Sequence, residues 1–211
     1  MKQLALLALF WSAAACAASD VVLVTAVAGN VQMEGAGAKK TRLESFVRLG
    51  EGDRLSLAAG SQVSLVYLAP GRQEQWQGSG NLAVGETESK VISGKPALSV
   101  RQLPAEVTRQ MNRTPNTSGE GRTGMLRLRS IPPIDAVSKL ERETAALRSD
   151  FPNGDLTPDI YLLAGLLDLR EYDRIQSELK RLVDAHPQDT NVLALRDLYS
   201  RALTKAQTKS P

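Results

Sequence analysis

The stretch at residues 49–88, LGEGDRLSLAAGSQVSLVYLAPGRQEQWQGSGNLAVGETE, decides the fold. It opens on Gly50-Glu51-Gly52-Asp53, then alternates through Arg54-Leu55-Ser56-Leu57 and, after Gly60-Ser61, through Val63-Ser64-Leu65-Val66-Tyr67. Apolar side chains at every second position give a strand one buried and one wet face. The breaks at 57–60 and 69–72 carry turn chemistry, since glycine tolerates positive φ and Pro70 fixes its own. The stretch is a β-meander, and nothing in it looks catalytic.

Working outward, residues 20–35 (DVVLVTAVAGNVQMEG) read as two strands around Ala28-Gly29-Asn30. Residues 35–42 are a small basic loop. Beyond the meander lie Val91-Ile92, a Ser93-Gly94-Lys95-Pro96 turn, and a last strand candidate at residues 97–100. Short strands with glycine-rich turns predict a small all-β domain over residues 20–102, sandwich or barrel in form.

These residues resemble the FecR-like periplasmic domain of bacteria. The likeness covers residues 21–100 and rests on Val27-Ala28-Gly29-Asn30-Val31, on Gly52-Asp53-Arg54-Leu55, on the alternating strand that runs to Tyr67, and on the polar piece at 73–84. Two features depart from it. Pro70-Gly71 stands where the family usually has Asp-Gly, and the helices and membrane span of its best-known members have no counterpart. The resemblance implies a non-enzymatic envelope domain that contacts another macromolecule; iron-siderophore signalling is not carried over.

Residues 1–18, MKQLALLALFWSAAACAA, read as an export signal with a positive start at Lys2, an apolar run at 4–11 and a small-residue zone after it. That run is too short for a stable membrane anchor. Cys16, the only cysteine, leaves two readings open. Ala13-Ala14-Ala15-Cys16 resembles a bacterial lipoprotein signal, although Ala13 stands where Leu, Val or Ile is usual. Ordinary cleavage after Ala17 or Ala18 would instead remove the cysteine and leave a mature chain without a thiol. Export, to the periplasm or otherwise out of the cell, is the expectation either way, with membrane attachment only if Cys16 carries lipid.

Aromatic residues make up 4% of the chain, so its cores must be built from Leu, Val and Ala. Residues 20–100 hold 8 basic and 8 acidic side chains, and residues 131–211 hold 11 and 13. The basic excess falls in between, with 6 Arg against 2 Glu over 101–130. Residues 103–130 read as a Pro/Gly-rich basic linker. It contains no aromatic residue to stack a base on, which argues against a nucleic-acid partner. Met125-Leu126-Arg127-Leu128-Arg129 alternates within it and suits an edge or docking strand.

Residues 131–207 carry helical spacing. Pro132 and Pro133 precede a first face of Ile134, Val137, Leu140, Leu147 and Phe151. Thr157-Pro158-Asp159 predicts a helix start with Thr157 as the capping hydroxyl. Residues 160–169 are apolar nearly all round, which predicts a central helix. Arg170-Glu171 is a turn, Tyr172, Ile175, Leu179 and Leu182 mark the next helix, and Val192, Leu195, Leu198, Tyr199 and Ala202 line the last. Leu162, Leu166, Tyr172, Leu179, Leu182 and Pro187 fall in the spacing of a tetratricopeptide repeat, which this region resembles. Leu163 and Ile175 depart from it where the repeat has small residues. The fold class expected is α+β in segregated domains: a small N-terminal all-β domain and C-terminal TPR-like helical hairpins.

Sites are few. Gly119-Glu120-Gly121-Arg122-Thr123-Gly124 has the spelling of a phosphate loop but sits in the linker with no helix to follow. His186, the only histidine, precedes Pro187 at a helix end and suits the dipole there. Glu86 and Glu88 share a polar loop with no apolar pocket to raise a pKa. If the chain is bacterial, as the signal and the resemblance imply, the sequons Asn112-Arg113-Thr114 and Asn116-Thr117-Ser118 are chance matches. Trp76 suits either an exposed partner anchor or a core aromatic. The candidate partner-binding residues are Trp76, Arg127 and Arg129, with Cys16 as the lipidation candidate. No catalytic residue, metal ligand or cofactor is expected. The reading is an exported, non-enzymatic adaptor of the cell envelope that binds another envelope protein; a peptidoglycan-binding structural module is the alternative.

Overall fold

A computed structural model describes residues 20–35, 39–115 and 135–208. Among the described residues ten strands form two five-stranded antiparallel sheets. The first sheet has the order β10-β7-β6-β1-β4, with β1 Asp20–Ala28, β4 Arg48–Gly50, β6 Gln62–Tyr67, β7 Arg72–Gln77 and β10 Ser99–Gln102. The second has the order β3-β2-β5-β8-β9, with β2 Val31–Glu34, β3 Thr41–Arg42, β5 Arg54–Leu57, β8 Gly80–Val84 and β9 Ser89–Gly94. The meander is thus β5 to β8, split between the two sheets.

Alternation explains the layering. Val22 and Val24 of β1, with Val63, Leu65 and Tyr67 of β6, point between the sheets and meet Leu55 and Leu82 of the second sheet. Leu23 and Val66, paired across β1 and β6, point to the opposite face. That outer face is covered by helices, so the described residues form three layers: sheet, sheet, helices. Phe46 packs into the same outer core, fully buried, with φ at 65°. A bulky residue holds such a backbone only where its surroundings over-determine it.

Five helices of the described residues supply the third layer: α1 Ala105–Met111, α2 Ala136–Asp150, α3 Thr157–Leu169, α4 Tyr172–Ala185 and α5 Thr190–Thr208. As expected, α3 is central; it touches α1, α2 and α4 and is buried almost throughout its first ten residues. Arg170 ends it in the left-handed region at φ 62°, and the amides of Arg170 and Glu171 bond back to Leu167 and Leu166. Gly165 lets α2 approach closely, because a Cβ there would lie 2.5 Å from a methyl of Leu140.

The expected linker is corrected over its first part. Residues 103–115 are built into the helical core, with Leu103, Val107 and Met111 all buried there. The three recur at i, i+4 and i+8, an apolar stripe hidden by polar average composition. The remainder, including Arg127, Arg129 and the glycine-rich motif at 119–124, lies outside the described residues, as do Cys16 and the export signal. The β part and the helices share one core, in which Leu23, Phe46 and Val66 stand among helical residues.

Candidate functional site

β7, RQEQWQ, reads as the most polar strand of the meander, yet its central side chains are buried. Gln73 faces the helices: its amide nitrogen donates to Asp155 Oδ2 at 2.9 Å and to Thr157 Oγ1 at 3.2 Å. The Thr157 hydroxyl therefore does not cap α3; Asp155 Oδ1 takes the Thr157 N–H instead, at 2.9 Å. Full burial of Thr157 against the sheet turns its hydroxyl toward Gln73.

Glu74 faces the other way, into the sandwich, and is 1% exposed. Its carboxylate accepts from Arg72 Nε at 2.7 Å, from Trp76 Nε1 at 3.0 Å and from the Ser89 N–H at 3.2 Å. A buried carboxylate is tolerated only with such partners. Ser89 Oγ also meets the Tyr67 hydroxyl at 2.9 Å. Burial pushes the Tyr67 phenol up to about 12. Trp76, expected as anchor or core aromatic, is 6% exposed, packs in the sandwich core and also borders a cleft.

That cleft, about 330 Å³, lies where the helices leave the outer face of the first sheet uncovered. Ala26, Ala28 and Ser64 form its floor, and Asn153 and Asn191 stand in its wall. Asn191, at the start of α5, accepts the Val27 N–H at 2.9 Å and the Ser45 hydroxyl through the same Oδ1. It thereby occupies the edge of β1 beyond the end of β4. The side chains of Gln62 and Gln77 are exposed at the rim.

A second depression, about 490 Å³, runs between α4 and α5. Leu179, Val183 and Leu203 make its apolar floor, and Lys180, Asp184 and Arg196 its charged rim. The third feature is an edge. Val91, Ile92, Leu98 and Val100 are exposed over 46–65% of their surface. They lie on β9 and on or beside β10, the outermost strands on one side of the sandwich.

Elsewhere the structure places the singled-out residues in water. Glu86 and Glu88 are exposed, and Glu88 lies 3.3 Å from Arg72. His186 is exposed at the end of α4. Among the described residues no cluster of three His, Cys, Asp or Glu side chains is placed to hold a metal ion, and no helix is long and apolar enough to cross a membrane. Sequence reasoning missed Gln73, Glu74, Asp155 and Asn191. The available signal was the run of polar residues on a strand that must lie inside a sheet. No family model, curated protein or solved structure matches the chain.

Proposed function

We propose that this protein is an exported, non-enzymatic adaptor of the bacterial cell envelope that holds another envelope protein. The observation that carries the reading is the groove between α4 and α5, where a Leu/Val floor with a charged rim suits the apolar face of a partner helix. The FecR-like spelling of residues 21–100, the repeat-like spacing of the helices and the export signal support it from the sequence. The shared core adds a physical reason: a groove on a body braced by a sandwich keeps its shape, so docking loses less conformational entropy.

The test is in-cell crosslinking of the tagged full chain beside Val183→Glu, which places a charge on the groove floor. One dominant envelope protein, lost in the variant, is the expected result. Equal capture by both chains would overturn the groove as the binding site.

The cleft favours a second reading, a peptidoglycan-binding module. Its side-chain amides at Gln62, Gln77 and Asn153, which make no hydrogen bond among the described residues, suit the hydroxyls and acetamido groups of a neutral glycan. Co-sedimentation with purified sacculi, lost in Gln62→Ala with Gln77→Ala, would support it.

A further inference from the structure

We infer that the cleft over the first sheet recognises the acetamido group of an N-acetylated amino sugar, with the Asn191 side-chain NH2 as donor and the Asp155 carboxylate as acceptor. The inference rests on the second reading above, in which this cleft takes a glycan, and names the group it selects and the two residues that read it.

Asn191 is committed at one end only. Its Oδ1 accepts both the Val27 N–H and the Ser45 hydroxyl, and the Val27 donor fixes which end of the carboxamide is the oxygen. Its Nδ2 makes no hydrogen bond among the described residues and is open to solvent. Two N–H donors are therefore held in place at the cleft wall by bonds made through the other end of the group. Asp155, in the connection between α2 and α3, is the counterpart. Its Oδ1 accepts the Thr157 N–H, and its Oδ2 accepts from Gln73 at 2.9 Å and from Gln75 at 3.4 Å. All three donors are neutral, and no basic side chain among the described residues pairs with it. A carboxylate has about four acceptor positions, so one remains, and Asp155 lines the same cleft.

Spacing selects the ligand group. Asn191 is anchored on β1 through Val27 and Asp155 on β7 through Gln73 and Gln75, with β6 alone between those strands. Two strand spacings put the anchors about 9.5 Å apart. A secondary amide that accepts at its carbonyl and donates at its N–H joins partners about 8 Å apart, the same scale. Its methyl then has Ala26 and Ala28 beneath it, the smallest side chains of the floor. An extended peptide carries the same amide but needs an open strand edge to pair with, and at the edge of β1 the Val27 N–H is already taken by Asn191. A protonated amine would satisfy Asp155 and leave the Asn191 donors unmet.

The probe is tri-N-acetylchitotriose. Its controls are chitotriose, which has free amines, cellotriose, which has hydroxyls, and the tripeptide trialanine. Binding to the full chain is read by isothermal titration calorimetry and by amide shifts in β1 and β7. The acetylated sugar should bind at least about tenfold tighter than each control. Asn191→Asp keeps an oxygen for Val27 and Ser45 and removes both donors, so it should weaken binding at least about tenfold while the Val27 amide stays protected from exchange. Ala28→Leu fills the floor from an exposed position and should weaken binding likewise, whereas Val183→Glu, in the helical groove, should bind as the parent does. Equal binding of any control, no binding, or unchanged binding in either cleft variant would overturn the inference. Sacculi that sediment with the protein while the trisaccharide does not bind would overturn it and leave the wall reading standing. Selective binding of the trisaccharide without sedimentation would support the site and refute the wall as its source.

Discussion

Replacing Glu74 with glutamine tests the inner network most directly. The carboxylate is 1% exposed and accepts three hydrogen bonds, from Arg72, Trp76 and Ser89. An amide offers one acceptor oxygen and puts two donor hydrogens where the other oxygen was. If that oxygen stays with Arg72 and Ser89, the new NH2 group faces the indole N–H; if it turns to Trp76, two donors face the NH2 group. Either arrangement strands at least one buried donor, costing roughly 1–3 kcal/mol. Arg72 is 30% exposed at its side chain and can turn toward Glu88 and water, so the loss of charge adds less than for a fully buried pair. The expected destabilisation is about 2–4 kcal/mol by urea denaturation followed by circular dichroism. Adding Trp76→Phe removes the indole donor and should make the double variant lose less than the sum of the singles. A Glu74→Gln protein within about 0.5 kcal/mol of the parent would refute the view that the network holds the sandwich.

Asn191→Ala should leave the Val27 N–H without its acceptor, lower stability by about 1–3 kcal/mol and speed exchange of that amide; Asn191→Asp, which keeps the oxygen, should restore much of the protection. Tyr199→Phe should change stability by less than about 1 kcal/mol, because the buried hydroxyl has only Thr114 Oγ1 beside it and the two make no well-formed hydrogen bond. Burial raises the phenols of Tyr67, Tyr161 and Tyr199 above their ordinary value of 10.0, so the folded state holds these protons more tightly than the unfolded one. Their contribution is whole below pH 10 and is lost as pH rises toward 12 and beyond; melting scans should show a falling Tm over that range.

The alternating residues of β5 and β6, the turns at Gly60-Ser61 and Pro70-Gly71, and the apolar run of α3 were legible because each element carries its own period. What periodicity cannot reveal is what covers a face. Val66 reads as the wet side of a half-buried strand and Leu23 as part of a continuous apolar run, and only the distant helices make their shared side a second core. Gln73 and Glu74 were obscure for a related reason. Polar residues on a strand suggest solvent unless their partners are known, and Asp155 and Ser89 lie 82 and 15 residues away. Residues 103–115 were hidden by composition, since three apolar side chains suffice to dock a short helix onto a core.

The Asn191–Val27 hydrogen bond joins residues 164 apart, tying the first strand of the sandwich to the last helix. Such a connection makes folding late and non-local, because the chain must close a very long loop before the outer face of the first sheet is sealed. Until α3 and α5 arrive, Leu23, Phe46 and Val66 present an apolar surface that neighbouring chains can bind. Cutting the gene at the boundary between strands and helices would therefore yield an aggregating fragment, and the two kinds of secondary structure share one fate in folding and in degradation.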